Sequence, residues 1–371
     1  MINENFMKQA IALAQKALGY TAPNPLVGAV IVKDNKIIGE GYHHKAGQPH
    51  AERMALADCK ESPVGATLYV TLEPCCHQGR TPPCTEAIIE AGISHVVIGS
   101  SDPNPLVKGK GAEILRKNGI LVTEHFLQGE CDALNPVFFH YITTKMPYVA
   151  LKYAMTADGK IATTTGASRW ISNETSRHYA HSLRHQYSSI LVGIGTVLQD
   201  DPLLNCRLEH ATQPLRVICD SNLRIPLESK ICKTGKTHST VIAYAQGSHE
   251  KKKALEALGL TLWQLPKENG QVSLPNLIKK LGENGIDSVL AEGGGTIHYS
   301  LLEGNLAQKL YVYLAPKIFG GQDAKTPVGG KGILEPKDAF TLKLLNSQEL
   351  NGDILIEYEI EPKGGAVCLQ D

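Results

Sequence analysis

Between Asn24 and Phe126 short apolar runs alternate with helix-patterned stretches, and a chain written this way has to fold as helices layered on a sheet. The segment "NPLVGAVIVKDNKIIGEGYHH" predicts two strands joined at Lys33-Asp34-Asn35-Lys36, where turn-forming residues separate apolar runs. "HAERMALADCK" reads as a helix and "ATLYVTLE", β-branched and apolar, as a buried strand. "TEAIIEAGI" and "GAEILRKNG" are helices; "HVVIGS" and "ILVTEHF" are strands. Ahead of them "MINENFMKQAIALAQKALGY" is amphipathic, with Phe6, Ala10, Leu13, Ala14 and Ala17 on one face. A helix around Cys131 to Tyr141 closes the domain.

A second start follows at "KMPYVALKYAMTADGKIA", an apolar strand led by Pro147. Two domains are what 371 residues predict, because one ordinary core does not grow that large. The boundaries drawn from these signals are 1–145, 146–362 and a loose tail, 363–371. The second domain repeats strand-like runs: "SSILVGIGTV", "LRVICDS", "STVIAYA", "SVLAEGGG", "KLYVYLAPKI", "LLNSQEL" and "DILIEYEI". The last two pair as an antiparallel hairpin around Asn351-Gly352, so its sheet is mixed.

Lys plus Arg and Asp plus Glu both number 37, a net charge of zero. General nucleic-acid or membrane-surface binders carry a basic excess, so small molecules are the expected partners. The run His249 to Lys253, "HEKKK", reads as a solvated helix start. The N-terminus lacks the apolar core and cleavage site of a signal peptide, and no stretch approaches membrane-spanning length. A reducing, cytoplasmic compartment is expected, and there clustered Cys indicates metal or catalysis rather than disulfides.

His50 and Glu52 stand two apart at a helix start, Cys75 ends a strand, and Cys84 opens the next helix after Pro82-Pro83. One imidazole and two thiolates suit zinc, and three protein ligands leave a coordination position for water. Zinc makes that water acidic near neutral pH, and a carboxylate such as Glu52 can carry its proton to a ring nitrogen and to a leaving amine. This is the logic of zinc nucleobase deaminases, H-x-E followed by P-C-x-x-C. Here eight residues, not two, separate Cys75 from Cys84. Cys76 is read as packing beside the site, since adjacent side chains rarely reach one metal. Cys59, Cys131, Cys206, Cys219, Cys232 and Cys368 are read as structural.

"NPLVGAVIV", "GEGYHHKAGQPHAE", "VTLEPCCHQGRTPPC" and "SDPNPLVKGKG" resemble the deaminase half of the bifunctional riboflavin-biosynthesis deaminase/reductase family, and the long Cys loop is characteristic of it. The resemblance implies a cytidine-deaminase-like three-layer α/β domain, with His50, Cys75 and Cys84 on one zinc ion and Glu52 as catalytic proton shuttle. Asn24 would touch the pyrimidine, or form an Asn-Pro turn. Arg80 would meet the substrate phosphate, or brace its loop. Asp102 and Asn104 would line the pocket, or make a turn.

In the second domain "SVLAEGGGTIHYSLL" is a strand, three glycines and a helix, and "VGIGTVLQDDP" holds another Gly-x-Gly after a strand. Such turns let phosphates approach backbone N–H groups at a helix start, although the dinucleotide fingerprint itself is not met. "LKYAMTADGKIA", "SRWIS", "LRHQYSSILVGIGTVLQDDPLLNCR", "RVICDS" and "EGGGT" resemble the reductase half of the same family, similar in fold to dihydrofolate reductase. The resemblance implies that Ala154, Trp170, Thr196, Asp200, Ser221 and the segment Gly294, Gly295, Thr296, Ile297, His298, Tyr299 and Ser300 bind NADPH. It places the substrate on Ser168, Arg184, Leu204, Arg207 and Glu292. The two arginines can grip a phosphate as forked donors, and Glu292 can accept from sugar hydroxyls. Lys152 is a candidate proton donor, or a salt-bridge lysine. Trp170 would face a flat ligand, or serve as core.

The expected function is therefore deamination of 2,5-diamino-6-(5-phosphoribosylamino)pyrimidin-4-one followed by NADPH-dependent reduction of its ribosyl group. The rivals are a deaminase of another base with an unrelated second domain, and a non-catalytic zinc and nucleotide-binding regulator. Open sheet edges and the family resemblance both point to a homo-oligomer as an option.

Overall fold

A computed structural model describes residues 2–77, 82–104 and 107–363. It divides into two units, Met1–Lys145 and Met146–Asp371. In the first, α1 (Glu4–Gln15) precedes the hairpin of β1 (Gly28–Lys33) and β2 (Lys36–Tyr42). Asp34 and Asn35 both take positive φ, 48° and 61°, as a two-residue hairpin turn requires. The chain continues through α2 (Ala51–Asp58), β3 (Thr67–Leu72), α3 (Cys84–Glu90), β4 (His95–Ser100), α4 (Lys110–Lys117) and β5 (Leu121–Thr123). The strands form one sheet ordered β2-β1-β3-β4-β5, antiparallel at β1 and parallel from β3 onward.

Alternation along β1 builds two cores. Ala29 and Ile31 pack with Ala51 and Ala55 of α2, Ile88 of α3 and Leu115 of α4. Val30 and Val32 face the other way, onto Met7, Ala10 and Leu13 of α1. The unit is thus three-layered. Its closing helix is two helices, α5 (Gln128–Asp132) and α6 (Pro136–Thr144). Pro136 cannot donate within a continuous helix and starts a new one instead. The buried Asn135 at the break accepts from Leu26 N–H at 2.7 Å and donates to Leu26 C=O at 2.9 Å, fixing the chain next to Asn24.

The second unit runs β6 (Tyr148–Thr156), α7 (Glu174–Gln186), β7 (Ser189–Gly193), α8 (Ile194–Asp200), β8 (Leu215–Cys219), α9 (Lys230–Lys233), β9 (Thr240–Tyr244), α10 (His249–Ala257) and β10 (Thr261–Gln264). It continues with β11 (Lys267–Glu268), β12 (Gln271–Val272), α11 (Leu274–Glu283), β13 (Ser288–Gly293), α12 (Gly295–Glu303), β14 (Lys309–Ala315), β15 (Leu342–Leu350) and β16 (Asp353–Ile360). Nine strands form a sheet ordered β10-β9-β8-β7-β13-β6-β14-β16-β15, parallel from β10 to β14 and antiparallel at β16 and β15. The run read as one strand, Ser188 to Val197, is a strand only as far as Gly193; α8 begins at Ile194. Ala180 and Leu183 of α7 cover Ala150, Leu290 and Tyr313 on one face. Leu277 of α11 and Leu301 of α12 cover Val149, Leu151 and Ala291 on the other. No described helix is long and apolar enough to cross a membrane.

Candidate active sites

Pro49 and His50 stand just before α2, so His50 is its N-cap and Glu52 enters its first turn. Cys75 lies three residues past β3, and Cys84 begins α3 after Pro83. These elements bring His50 Nδ1 to 3.4 Å from Cys75 Sγ and 3.3 Å from Cys84 Sγ. All three donor atoms lie within 4.8 Å of one another. The Cys84 backbone N–H points at Cys75 Sγ, 3.4 Å away. The Cys84 thiol and then His50 hold Cys75 down at about 4, while the same bond and burial push Cys84 up. One nitrogen and two sulfurs at this spread fit a single zinc ion and leave a four-coordinate metal one ligand short. Cys76 is not in the donor set.

His50 and Cys75 border a cavity of about 500 Å³ that also takes in Asn24, Glu52, Asp102 and Asn104. Glu52 is 3% exposed, and burial, followed by the Cys75 charge, raises its carboxyl to about 7. Burial likewise lifts Asp102 to about 6. Arg80 lies outside the described residues.

Two residues not singled out in the sequence shape this cavity. His43 Nδ1 lies 3.1 Å from Pro49 C=O, which can only accept, so that nitrogen carries the proton. Its Nε2 then accepts from Asn24 Nδ2 at 3.1 Å, and the Asn24 carbonyl oxygen is left to accept from elsewhere. Glu73 is buried, and its carboxylate accepts backbone N–H groups of Gly109 (3.0 Å), Gly111 (3.0 Å), Ala112 (3.3 Å) and Asp102 (3.4 Å). It therefore ties the start of α4 to the loop that carries Asp102 and Asn104.

In the second unit a cavity of about 780 Å³ is lined by Ser168, Thr196, Asp200, Ser221 and Gly294 to Ile297. Ser168 Oγ donates to Asp200 Oδ1 at 3.1 Å. Gly294 sits at φ 94°, in the region glycine favours, and a Cβ on Gly295 would come within 3.0 Å of Gly329 N. The start of α12 thus meets the cavity as bare backbone, a shape that fits a dinucleotide pyrophosphate. Arg224 lines the same cavity, exposed and with no carboxylate within 4 Å among the described residues. Ala154, Trp170, His298, Tyr299 and Ser300 are not among the lining residues. His298 is buried, with ring nitrogens 2.9 and 3.2 Å from the carbonyls of Pro327 and Ala291, and Tyr299 donates to Gly332 C=O at 3.0 Å. Trp170 is 59% exposed under the Arg177 guanidinium, 4.5 Å from its ring.

A charged cluster lies on the α7 face of the sheet. Arg184 donates to Glu292 through Nε (2.6 Å) and Nη2 (2.8 Å) and to Asn205 C=O through Nη1 (3.0 Å). Lys152 Nζ reaches within 3.9 Å of the same carboxylate. Burial, with Arg184 nearby, holds the Lys152 ammonium below its usual range despite Glu292. Burial works to raise Glu292, but the charges of Arg184 and Lys152 outweigh it and keep the carboxyl at about 2. Leu204 is buried at positive φ, 53°, turning the chain towards Arg207.

Residues 1–100 match the cytidine and deoxycytidylate deaminase zinc-binding region, and residues 147–356 match the RibD C-terminal domain. The riboflavin biosynthesis protein RibD of Actinobacillus pleuropneumoniae is 52% identical over 360 residues, 97% of this chain and 96% of that one. The chain belongs to the RibD family of riboflavin-biosynthesis deaminase/reductases. The RibD of Aquifex aeolicus is 44% identical over 96% of this chain and 98% of its own. Among solved structures, a Thermotoga maritima diaminohydroxyphosphoribosylaminopyrimidine deaminase/5-amino-6-(5-phosphoribosylamino)uracil reductase superposes with a TM-score of 0.84 at 40% identity, covering 96% of this chain and 98% of that one. Acinetobacter baumannii RibD gives 0.86 at 38% identity, with the same coverage. RibD membership accounts for both units in order: a zinc-binding deaminase region, then a reductase domain that calls for a nicotinamide cofactor.

Proposed function

We propose that the chain catalyses two successive steps, one per unit. The first unit deaminates 2,5-diamino-6-(5-phosphoribosylamino)pyrimidin-4-one to 5-amino-6-(5-phosphoribosylamino)uracil, releasing ammonia. The second reduces the ribosyl group of that product to ribityl with NADPH. The observation that carries the reading is the meeting of His50, Cys75 and Cys84 beside a buried Glu52 whose carboxyl titrates at about 7.

Zinc held by those three residues would supply Lewis acidity that makes water nucleophilic near neutral pH. Glu52, poised to hold or give a proton at that pH, takes one from the attacking water at its carboxylate. It returns that proton to the ring nitrogen and passes the next to the departing amine. The Asn24 carbonyl, oriented by His43, accepts from a substrate N–H. Asp102 and Asn104 enclose the pyrimidine, and Arg80 remains the expected phosphate contact.

A nicotinamide cofactor held in this unit would supply hydride-transfer chemistry for the ribose C1. Lys152, whose proton burial has loosened, gives that proton to the ring oxygen, so the sugar opens to the ribityl chain. Glu292 accepts from the sugar hydroxyls, and Ser168, Leu204, Arg184 and Arg207 hold the rest of the substrate. Thr196, Asp200, Ser221 and the Gly294 to Ile297 backbone hold the cofactor, while Ala154, Trp170, His298, Tyr299 and Ser300 stand outside that lining. The unpaired Arg224, beside Ser221, supports NADPH over NADH because a 2′-phosphate supplies the anion it lacks.

The thiolates of the first site suit a reducing compartment, the cytoplasm. The outer edge of β15, with Leu342, Leu344 and Leu345 exposed, supports a homo-oligomer, which light scattering would show as a mass above 40.1 kDa. The deciding experiment is a coupled assay on zinc-loaded protein with the phosphoribosylaminopyrimidine. Ammonia should appear without NADPH, and NADPH should then be consumed one for one when added. Ammonia alone would remove the reductase reading, and no ammonia would remove the substrate.

A further inference from the structure

The two arginines expected at the substrate phosphate are engaged differently. Arg184 is paired through two nitrogens with Glu292, so its charge is already answered. Arg207 is exposed, and no carboxylate lies within 4 Å of it among the described residues. It rests instead on an imidazole: its Nε and Nη2 lie 3.0 and 2.8 Å from His181 Nε2.

A guanidinium has only donors, so the ring nitrogen it meets must present a lone pair. The Arg207 backbone N–H also faces the ring, 3.3 Å from Nδ1. Whichever nitrogen holds the lone pair, an imidazolium with N–H on both is excluded; the shorter contacts place the lone pair on Nε2. Burial, then the charges of Arg184 and Arg207, keep His181 at about 4, in the same direction. His181 is 8% exposed and lies one turn before Arg184 on α7. Its own carbonyl accepts the Cys206 thiol at 3.2 Å, which anchors the residue preceding Arg207.

We propose that His181 is a positioning residue for the reductase substrate: a neutral acceptor that fixes the Arg207 guanidinium while leaving its full charge for the phosphate. This rests on the reading that the second unit binds a phosphorylated pyrimidine. A carboxylate in the same place would hold Arg207 as firmly but cancel its charge. An alanine would leave the long side chain free to rotate.

The test uses the full chain and His181→Gln, His181→Glu and His181→Ala variants, with NADP⁺ affinity as a check that the second unit is folded. Calorimetric titration measures affinity for 5-amino-6-(5-phosphoribosylamino)uracil and for its dephosphorylated counterpart. Alanine and glutamate should each weaken the phosphorylated ligand about tenfold or more and leave the dephosphorylated one within about twofold. Glutamine, a neutral acceptor, should restore most of the loss, and the reductase defect should fall on KM rather than kcat. The proposal is overturned by a glutamate or alanine variant that binds like the wild type, by a glutamine variant as weak as alanine, or by equal weakening of both ligands. A wild-type protein that does not distinguish the two ligands would remove the phosphate reading itself, and the proposal with it.

Discussion

Glu73 and Gly111 are joined by a hydrogen bond of 3.0 Å from the Gly111 N–H to one carboxylate oxygen, while the other oxygen takes Gly109. The pair is 38 residues apart and fixes the loop over the deaminase cavity. A Glu73→Gln protein turns an amide NH₂ towards backbone donors. We expect it to lose about 1–3 kcal/mol of stability and to raise the deaminase KM, with bound zinc unchanged. Metal analysis beside steady-state kinetics checks this; an unaltered KM would separate Glu73 from the pocket.

On the proposed reading, Glu52 carries the proton traffic of the first site. A Glu52→Gln protein should lose about 10²–10⁴-fold in ammonia release. It should keep its zinc and still reduce the deaminated intermediate supplied to it. Substantial remaining deamination would reject the role.

Glu292 binds two cations in a buried place, and a Glu292→Gln change leaves both poorly answered. The expected cost is about 3–5 kcal/mol in the second unit. Reductase activity should collapse while deaminase activity persists at temperatures where the second unit is still folded. Separate readouts of the two activities on one preparation decide it.

Acid should weaken the second unit in two stages. His181 is held at about 4, below its ordinary value of about 6.5, so between those pH values the unfolded chain takes up a proton that the native state refuses. Glu292 is held at about 2, so its contribution, full above about 4.3, is lost as pH falls towards 2. Both effects lower stability on acidification. Scanning calorimetry from pH 7 to 3 should show a falling Tm for this unit, and a flat profile would contradict both assignments.

Arg224→Ala should reduce affinity for NADP⁺ by about tenfold and leave NAD⁺ unchanged, by direct titration of each. Equal losses for both would assign Arg224 a purely structural place.

What the sequence made legible was the chemistry that repeats in short stretches. His50, Glu52, Cys75 and Cys84 are readable because zinc hydrolysis restricts residue types, and the β1–β2 hairpin because Asp-Asn tolerates left-handed backbone. Helix–strand alternation set the layers. What escaped depends on distant approach. Nothing in Asn135 announces that it clamps Leu26, 109 residues away, and the helix break at Pro136 lies beside that hidden contact. The apolar run through Gly193 has a strand pattern throughout, although the chain changes there from sheet to helix. His43, Glu73 and His181 act through atoms brought close only by the fold. The sequence around Trp170 suits either core or a ligand platform, and its indole lies exposed beneath Arg177.

The chain passes from α6 to β6 across residues 145–147, with the deaminase unit before that junction and the reductase unit after it. Each act of translation therefore delivers both catalysts in equal number. Changes in gene dosage scale the pair together and cannot skew it. The standing level of the deaminated intermediate is then governed by the relative turnover and saturation of the two centres, which makes selection on either one a selection on the balance between them.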